Sequence, residues 1–213
     1  MRSEERRARL AHARLYLVCD GRRPDLEDFL ARVLEAGVDV VQLRDKEADD
    51  AELLRAGHTF RDAAARHHAL FVVNDRPDLV SSLGADGVHL GQEDLSVEEA
   101  RRVLGEEPLI GLSNHTPEQL NQAGPAADYV CVGPVWETPT KPGRLAAGLD
   151  LVRHAAANER RPWFAIGGID LGNVDEVVEA GASRIVVVRA ITEAPDPAAA
   201  AGSLLEALPS ATV

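Results

Sequence analysis

LFVVNDRPDLVSSLGADGVHLGQEDL, residues 70–95, is the stretch that decides the fold. Two short apolar runs, 70–73 and 87–90, are each followed by a polar cluster that contains an aspartate. Residues 76–83 between them have room for about two helical turns, and Gly84 after them is a helix-stopping residue. A strand, a helix and a second strand predict a parallel pair, because parallel strands need a crossover connection.

The aspartates of these two clusters are Asp75 and Asp94. The carboxyl ends of parallel neighbours emerge on one edge about 4.8 Å apart, so these carboxylates are predicted to bind one divalent cation. The alternative is that each aspartate caps the helix after it. At Asp94 this alternative is weakened, because Ser96 and Glu99 already form a capping box. At Asp75 both interpretations stay open.

Strand-like and helix-like segments alternate along the whole chain. The strand-like runs are 15–19, 38–43, 70–73, 87–90, 109–112, 129–132, 163–166 and 184–188. The helix-like segments are 25–36, 49–66, 76–83, 96–104, 116–123, 149–157, 173–180 and 197–208. The runs are nearly continuous in apolar residues, as in strands covered on both faces. Eight alternations predict a single (β/α)8 barrel, residues 14–213, preceded by a short helical extension, residues 1–13. An open, doubly wound sheet is the alternative.

Composition narrows the class of protein. The net charge of −12 argues against a broad surface for nucleic acids or anionic membranes, so an anionic substrate needs a local cationic pocket. No apolar run approaches the roughly 20 residues that span a bilayer, and residues 1–13 lack the apolar core of a secretory signal. Cys19 and Cys131 lie in strand-like runs, so we interpret both as reduced core residues. These features predict a cytoplasmic protein.

The chemistry of such a barrel lies at the carboxyl ends of its strands. After the second strand, Gln42, Arg44 and Lys46 share one face, because side chains of an extended chain alternate. An amide and two cations on one face suit a polyanion such as diphosphate. The alternative is that Arg44 and Lys46 are solvated charges paired with Asp45 and Glu47.

Two other strand ends indicate phosphate binding. The loop at 133–144 contains three prolines and two glycines, and its Thr138, Thr140 and Lys141 supply donors for a phosphate. Such residues are also common in ordinary loops. After the seventh strand, Gly167 and Gly168 let backbone N–H groups approach a phosphate closely. Together with the segment 188–190 they form the loop pair that most often binds phosphate in this architecture.

Three polar residues near the other strand ends have less definite roles. Ser113 could donate to a substrate oxygen, but no base and acid accompany it in the order of a catalytic triad. We interpret His115, beside a helix start, as structural, and His89, inside a strand, as a core residue.

Taken in order, these motifs resemble the thiamine phosphate synthase family. The matching segments are QLRDK (42–46), NDRPDLV (74–80), GADGVHLGQEDL (84–95), IGLSNHT (110–116), VGPVWETPTKPG (132–143) and AIGGI (165–169). They run from about residue 15 to residue 191, nearly the whole chain. The fold that this resemblance implies is the barrel argued from the alternation.

The resemblance also implies a reaction. Members of the family are transferases that condense an aminopyrimidine diphosphate with a thiazole phosphate, giving thiamine phosphate and diphosphate. The diphosphate departs first and leaves a pyrimidinylmethyl cation, which the thiazole nitrogen captures. The implied cofactor is Mg²⁺, and the implied partners are these small molecules. The carboxylated or plain form of the thiazole, and a homo-oligomeric state, stay open.

The resemblance assigns roles to individual residues. Catalytic roles fall on Ser113, Lys141 and Arg44, and Mg²⁺ is held by Asp75 and Asp94. The pyrimidine diphosphate is bound by Gln42, Leu43, Arg44, Asp45, Lys46, Asn74, Ser113 and Lys141. The thiazole phosphate is bound by Thr138, Pro139, Thr140, Gly168, Val188 and Arg189. One departure matters, because the family usually has Ser at the position of Arg189. Either Arg189 adds a bidentate phosphate contact to the thiazole-phosphate site, or its side chain points away and has little effect, and both interpretations stay open.

Two other functions compete with the synthase. A related thiazole tautomerase shares the fold and the phosphate site, but it lacks the full set of diphosphate and metal residues found here. A barrel that binds thiamine precursors without catalysis is the alternative from another class, and the intact set of charged residues argues against it.

Overall fold

The computed structural model describes residues 2–138 and 145–210. Its strands are β1 (Leu15–Cys19), β2 (Val40–Leu43), β3 (Leu70–Asn74), β4 (Gly87–Leu90), β5 (Leu109–Asn114), β6 (Tyr129–Val132), β7 (Trp163–Ile166) and β8 (Ile185–Val187). Its helices are α1 (Ser3–His12), α2 (Leu26–Glu35), α3 (Asp50–Arg66), α4 (Val80–Leu83), α5 (Val97–Leu104), α6 (Pro117–Gln122), α7 (Gly148–Asn158), α8 (Val174–Glu179), α9 (Arg189–Thr192) and α10 (Pro197–Ala207).

The strands form a closed parallel barrel in sequence order. Closure is direct, because Leu17 of β1 is in register with Val41 of β2 on one side and with Val187 of β8 on the other. The predicted (β/α)8 barrel is therefore confirmed, and the open sheet is excluded.

The side chains of β1 show why the strands are apolar on both faces. Leu15, Leu17 and Cys19 pack in the layer between the strands and the helices. Tyr16 and Val18 point into the barrel, where they join a second buried cluster. Each strand thus buries both of its faces, as expected for a parallel sheet covered by helices. Both cysteines are buried and reduced, as predicted.

Local signals in the sequence set several helix ends. Ser96 accepts a hydrogen bond from the Glu99 N–H and the Glu99 carboxylate accepts from the Ser96 N–H, so the predicted capping box starts α5. Gly84 ends α4 in the left-handed conformation, with φ of 64°. The segment 76–83 differs from the single predicted helix, because a short 3₁₀ turn, Pro77–Leu79, precedes α4.

Helix α1 closes the amino-terminal end of the barrel. Its Leu10 is buried with the side chains of the barrel interior. Arg6 contacts Asp86 at 3.1 Å, and Arg7 contacts Asp128 at 2.8 Å, so ion pairs join the helix to the starts of β4 and β6. The helix therefore seals the end of the barrel opposite the predicted chemistry.

Aspartates that directly precede β2, β4 and β6 form a repeat at this end. A carboxylate oxygen of each accepts a hydrogen bond from a backbone N–H at the start of the preceding strand. The pairs are Asp39 with Leu15 at 3.0 Å, Asp86 with Phe71 at 3.0 Å, and Asp128 with Ile110 at 2.8 Å. The repeat satisfies backbone donors where the barrel ladder begins.

Two further findings complete the fold. Helix α9 follows β8 at once and lies within a segment that the sequence patterns left without a helix. Within the described residues, no helix combines the length and apolar character needed to cross a membrane.

Candidate active site

A cavity of about 300 Å³ opens at the carboxyl end of the barrel. Its walls come from all eight strands and the loops after them. They include Gln42, Arg44, Asn74, His89, Ser113, His115, Thr138, Gly168, Asp170 and Arg189. A smaller adjoining cavity shares Arg44, Asn74, His89 and Ser113 and adds Lys46, Asp75 and Asp94. The closed barrel therefore brings strand ends that are far apart in sequence around one space.

The cationic face predicted after β2 is present. Gln42 and Arg44 line the main cavity, and Arg44 and Lys46 line the adjoining one. The alternative pairing of these cations with neighbouring acids is not seen, because Asp45 accepts hydrogen bonds from Arg22 at 2.6 and 2.8 Å. Arg44 and Lys46 thus lie on the cavity side of the strand end, where Lys46 contacts Asp75.

Leu43 and Asp45 do not face this space. Leu43 is buried between the strands and the helices, and both side chains line a separate small cavity beside Arg22. Alternation along the strand places them opposite Gln42 and Arg44. Any contact of these two residues with a diphosphate would therefore come from their backbone, and their role in diphosphate binding stays a prediction.

Asp75 and Asp94 come together at the ends of β3 and β4. Asp75 has a left-handed backbone, with φ of 59°, and its carboxylate lies 3.1 Å from the Lys46 ammonium. The Asp94 carboxylate accepts the Gly91 N–H at 2.7 Å. Partial desolvation and a hydrogen bond with Asp75 raise the pKa of Asp94 above its ordinary value. The two carboxylates are therefore close enough to share one proton or one cation.

The capping alternative for Asp75 is not seen. The turn after it is preceded by Arg76, and no side chain caps that turn. Asp94 also leaves helix capping to Ser96.

This pair fits a magnesium ion better than a metal that needs a full protein cage. Two carboxylates are partly neutralised by one ammonium, so the cluster keeps an excess of negative charge. Mg²⁺ is commonly bound by one or two carboxylates, with waters and substrate phosphates completing the shell. Among the described residues there is no group of three or more acidic, histidine or cysteine side chains placed to hold a metal. Asp75 and Asp94 are therefore suited to a metal shared with a phosphorylated ligand.

His89 and Ser113 form a pair at the junction of the two cavities. His89 Nε2 lies 2.9 Å from Ser113 Oγ, and His89 Nδ1 lies 3.3 Å from the Tyr129 hydroxyl. His89 is buried, as its interpretation as a core residue predicted, and its ring also lines both cavities, which that interpretation did not foresee. The missed signal is the alternation in β4, where Val88 and Leu90 face the helices.

His115 holds the start of the loop after β6. Its Nδ1 lies 2.5 Å from the Gly133 carbonyl oxygen, and its ring also lines the main cavity. The contact with Gly133 agrees with the interpretation of His115 as structural. Its position in the cavity wall also places the ring beside any ligand bound there.

The far wall of the main cavity contains the predicted phosphate residues. Thr138, Gly168, Val188 and Arg189 all line it. Gly167 has φ of 109°, and a Cβ there would overlap Pro134, so only glycine fits. The Arg189 guanidinium is loosely paired with Glu193 at 4.0 Å, and 44% of its side chain is exposed. Pro139, Thr140 and Lys141, the other predicted residues of the loop, lie outside the described residues.

A barrel mouth with a cationic strand end, a carboxylate pair and a glycine-lined wall defines an enzyme that acts on phosphorylated small molecules. Residues 15–191 match a family model described as thiamine monophosphate synthase. The chain therefore belongs to the thiamine monophosphate synthase family, and the resemblance inferred from its motifs is confirmed.

Individual relatives agree with this assignment. The chain is 57% identical to a thiamine-phosphate synthase from Acidothermus cellulolyticus, over 96% of this chain and 99% of the relative. It is 58% identical to a thiamine-phosphate synthase from Streptomyces avermitilis, over 92% of this chain and 93% of the relative. The solved thiamine phosphate pyrophosphorylase from Pyrococcus furiosus has a TM-score of 0.83 and 32% identity, over 94% of this chain and 96% of that one. A 3-hexulose-6-phosphate synthase, at 20% identity and a TM-score of 0.66, shares the fold alone.

Proposed function

We propose that this protein condenses an aminopyrimidine diphosphate with a thiazole phosphate and releases thiamine phosphate and diphosphate. One observation carries the proposal, namely that Arg44, Lys46, Asp75 and Asp94 line one cavity, and that this cavity adjoins a second one lined by Gly168 and Arg189. A reaction between two phosphorylated molecules, one of which loses diphosphate, requires two adjoining binding cavities of this kind.

The smaller cavity binds the diphosphate. Arg44 offers a planar fork of donors for two phosphate oxygens, and Lys46 offers a compact point charge. Lys46 and Lys141 are the two lysines of a chain with 23 basic residues, and both were predicted to bind this substrate. Asn74 lines the same space and can donate its amide N–H to a phosphate oxygen.

Asp75 and Asp94 would hold Mg²⁺, which when bound neutralises charge on the leaving diphosphate. Both carboxylates stand beside the cations that bind the phosphates, so metal and substrate share one site. Their adjacent negative charges also disfavour binding of the diphosphate without a cation between them.

Bond breaking comes before bond making. The bond between the pyrimidinylmethyl carbon and the diphosphate oxygen breaks, and its electron pair leaves with the oxygen. The thiazole nitrogen then donates its lone pair to the cationic carbon and forms the new C–N bond. Neither step needs a strong base, and Arg44, Lys46 and Ser113 act by stabilising the negative charge that develops on the leaving group.

The main cavity binds the thiazole phosphate at its far wall. Backbone N–H groups of Gly168 and of the Val188–Arg189 segment approach the phosphate, and the Thr138 hydroxyl donates to it. The Arg189 guanidinium adds a charge-assisted contact that a serine could not supply. All of these groups lie on the far wall of the main cavity. The phosphate is therefore expected to be held strongly from that side only.

The test is diphosphate release by the purified protein with both substrates, first with Mg²⁺ and then with EDTA. We expect release that needs both substrates and Mg²⁺, together with formation of thiamine phosphate. If no diphosphate is released with Mg²⁺ or with EDTA although both molecules still bind, the protein would be a binding protein and not an enzyme. Isomerisation of the thiazole alone, without use of the pyrimidine, would support the tautomerase instead.

Substitutions at Asp75 and Asp94 test whether these residues hold the metal. Asp75→Ala and Asp94→Ala should each lower Mg²⁺-dependent turnover by at least about 100-fold while the fold is kept. The matched control is Asp78→Ala, because Asp78 is an exposed carboxylate paired with Arg76 and does not line either cavity. Near-normal activity in either of the first two variants would remove the metal assignment.

A further inference from the structure

A continuous line of polar contacts runs through the buried interior of the barrel. Gln42 Nε2 lies 2.5 Å from the Tyr16 hydroxyl, which lies 3.1 Å from the Tyr129 hydroxyl. The Tyr129 hydroxyl lies 3.3 Å from His89 Nδ1, and His89 Nε2 lies 2.9 Å from Ser113 Oγ. All five side chains are buried. The line therefore joins the interior to the residue at the junction of the two cavities.

The amide at one end gives this line a direction. An amide N–H₂ only donates, so the Tyr16 oxygen accepts from Gln42. Among the described residues, the other hydrogen-bonding neighbour of that hydroxyl is Tyr129, so Tyr16 donates its proton there. The Tyr129 hydroxyl in turn donates to His89 Nδ1.

The same assignment of donors and acceptors determines the tautomer of His89 and the direction of the Ser113 hydroxyl. Nδ1 of His89 accepts a hydrogen bond from Tyr129, so in the neutral ring the hydrogen is on Nε2. Nε2–H then donates to Ser113 Oγ. The serine oxygen is occupied as an acceptor, which leaves its own O–H to donate into the cavity.

Burial keeps the two phenols in the donor form. It raises the pKa of Tyr16 and of Tyr129 well above the ordinary value, so neither loses its proton at physiological pH. Each bond in such a chain polarises the next in the same sense, and low-dielectric surroundings strengthen the effect.

Packing holds the hydroxyl of Tyr129 in place. The ring of Phe164 meets the Tyr129 ring edge to face, with centroids 5.9 Å apart. Gly111 leaves the space that this ring fills, because a Cβ at that position would overlap it. The donor to His89 therefore has little freedom to turn away.

We propose that His89 and Tyr129 are positioning residues, which through this chain hold the Ser113 hydroxyl as a hydrogen-bond donor to the departing diphosphate oxygen. The inference rests on the proposed function. Ser113 lines both the smaller cavity and the main cavity. It therefore stands where the two cavities meet, which is where the breaking C–O bond would lie. As that bond breaks, its electron pair moves to the oxygen, and a fixed donor there stabilises the growing charge. The serine keeps its proton throughout.

The first experiment reads the tautomer directly. Nitrogen NMR of protein labelled with ¹⁵N-histidine should show His89 with a protonated Nε2 and an unprotonated Nδ1. The resonances are assigned by their loss in His89→Gln, and the chain's other histidines serve as references. A proton on Nδ1 in place of Nε2 would mean that Ser113 donates to His89, and the proposal would be overturned. This reading needs no substrate, so it stands apart from any failure of the proposed activity.

The second experiment measures kinetics on the active enzyme. Ser113→Ala and His89→Leu should each lower kcat by about 100-fold, the usual cost of losing one preorganised donor, with KM for both substrates nearly unchanged. His89→Gln should recover much of the loss, because its amide N–H₂ can replace the donor at Nε2. Tyr129→Phe should lower kcat by about 10-fold and shift the His89 tautomer toward a mixture.

The control is His154→Gln, the same substitution at a half-buried histidine on α7 that lines neither cavity, which should leave both kinetic constants unchanged. Equal activity of His89→Gln and His89→Leu would assign His89 a purely structural role and reject the proposal. If wild-type protein releases no diphosphate with both substrates, the proposed function fails instead, whatever the tautomer.

Discussion

The Lys46 ammonium lies 3.1 Å from the Asp75 carboxylate. A side chain predicted to bind diphosphate thus contacts one predicted to bind the metal. In the absence of ligands, the ammonium supplies part of the positive charge that the Asp75 and Asp94 pair requires. We propose that a metal bound by this pair would displace Lys46, which would then turn to the diphosphate.

Lys46→Met should bind Mg²⁺ or Mn²⁺ several-fold more tightly than the wild type when no substrate is present. The reason is that the metal no longer competes with an ammonium for Asp75. Titration calorimetry, or the paramagnetic signal of free Mn²⁺, measures the affinity. Lys46→Arg is the matched control and should stay close to the wild type. Weaker metal binding by Lys46→Met would show that the ammonium does not compete.

Asp94→Asn should raise the melting temperature of the metal-free protein near neutral pH. Partial desolvation and the contact with Asp75 raise the pKa of Asp94 in the folded state, so its ionised form destabilises the fold above that pKa. The gain should disappear once the pH falls below the unfolded value of about 3.9, where the carboxyl is protonated in both states. Thermal unfolding followed by circular dichroism across pH checks this.

Asp78→Asn is the control of opposite sign for that experiment. A hydrogen bond from Arg76 lowers the pKa of Asp78, so this carboxylate adds stability that is lost as the pH falls through its folded pKa. The variant should therefore melt slightly lower near neutral pH and match the wild type in acid. The same shift at every pH for Asp94→Asn would mean that its charge is not the cause.

Arg189→Ser should raise KM for the thiazole phosphate by about 10-fold, the scale of one charge-assisted hydrogen bond, and change KM for the pyrimidine much less. Arg189 lines the main cavity and is held by Glu193 only loosely. Steady-state kinetics with each substrate varied in turn measures both constants. Arg153→Ser, at an exposed arginine of α7, is the control. Equal changes in the two constants would place Arg189 outside the thiazole-phosphate site.

Asp128→Ala should lower the free energy of unfolding by about 3 kcal/mol or more, the cost of breaking a buried ion pair. Only 9% of the Asp128 side chain is exposed, and it contacts Arg101 at 2.7 Å and the Ile110 N–H at 2.8 Å. Urea denaturation measures the change. Asp62→Ala, at a carboxylate with 57% exposure, should stay within about 0.5 kcal/mol. A loss no larger than that of the control would show that the aspartates that precede β2, β4 and β6 do not stabilise the fold.

Much of the candidate site could be predicted because it follows the strands. Gln42, Arg44, Asn74 and Ser113 lie at or just beyond strand ends, and the architecture sends every strand end to one mouth. The side-chain alternation that placed Gln42 with Arg44 is local geometry and needs no knowledge of the rest of the chain. Applied to Leu43 and Asp45, the same rule would have directed them away from the diphosphate.

Other parts of the site could not be predicted in this way. His89 and Tyr129 are separated by 40 residues in sequence, and they meet only because the barrel closes. An apolar run shows that a strand is buried on both faces, but it does not show which buried face contains a cavity. The pairing of Lys46 with Asp75 likewise depends on the distance between two strand ends, and the side chains of Asp45 and Glu47 turned instead to Arg22.

The sequence by itself therefore determined the barrel, the order of its elements and the residues at its mouth. Each of these depends on patterns within a few residues, such as apolar runs, helix caps and glycine stops. Tertiary structure alone decided the hydrogen-bond chain to Ser113, the contact of Lys46 with Asp75 and the closure of the amino-terminal end of the barrel by α1. These features join groups from different strands, and their geometry exists only once β8 pairs with β1.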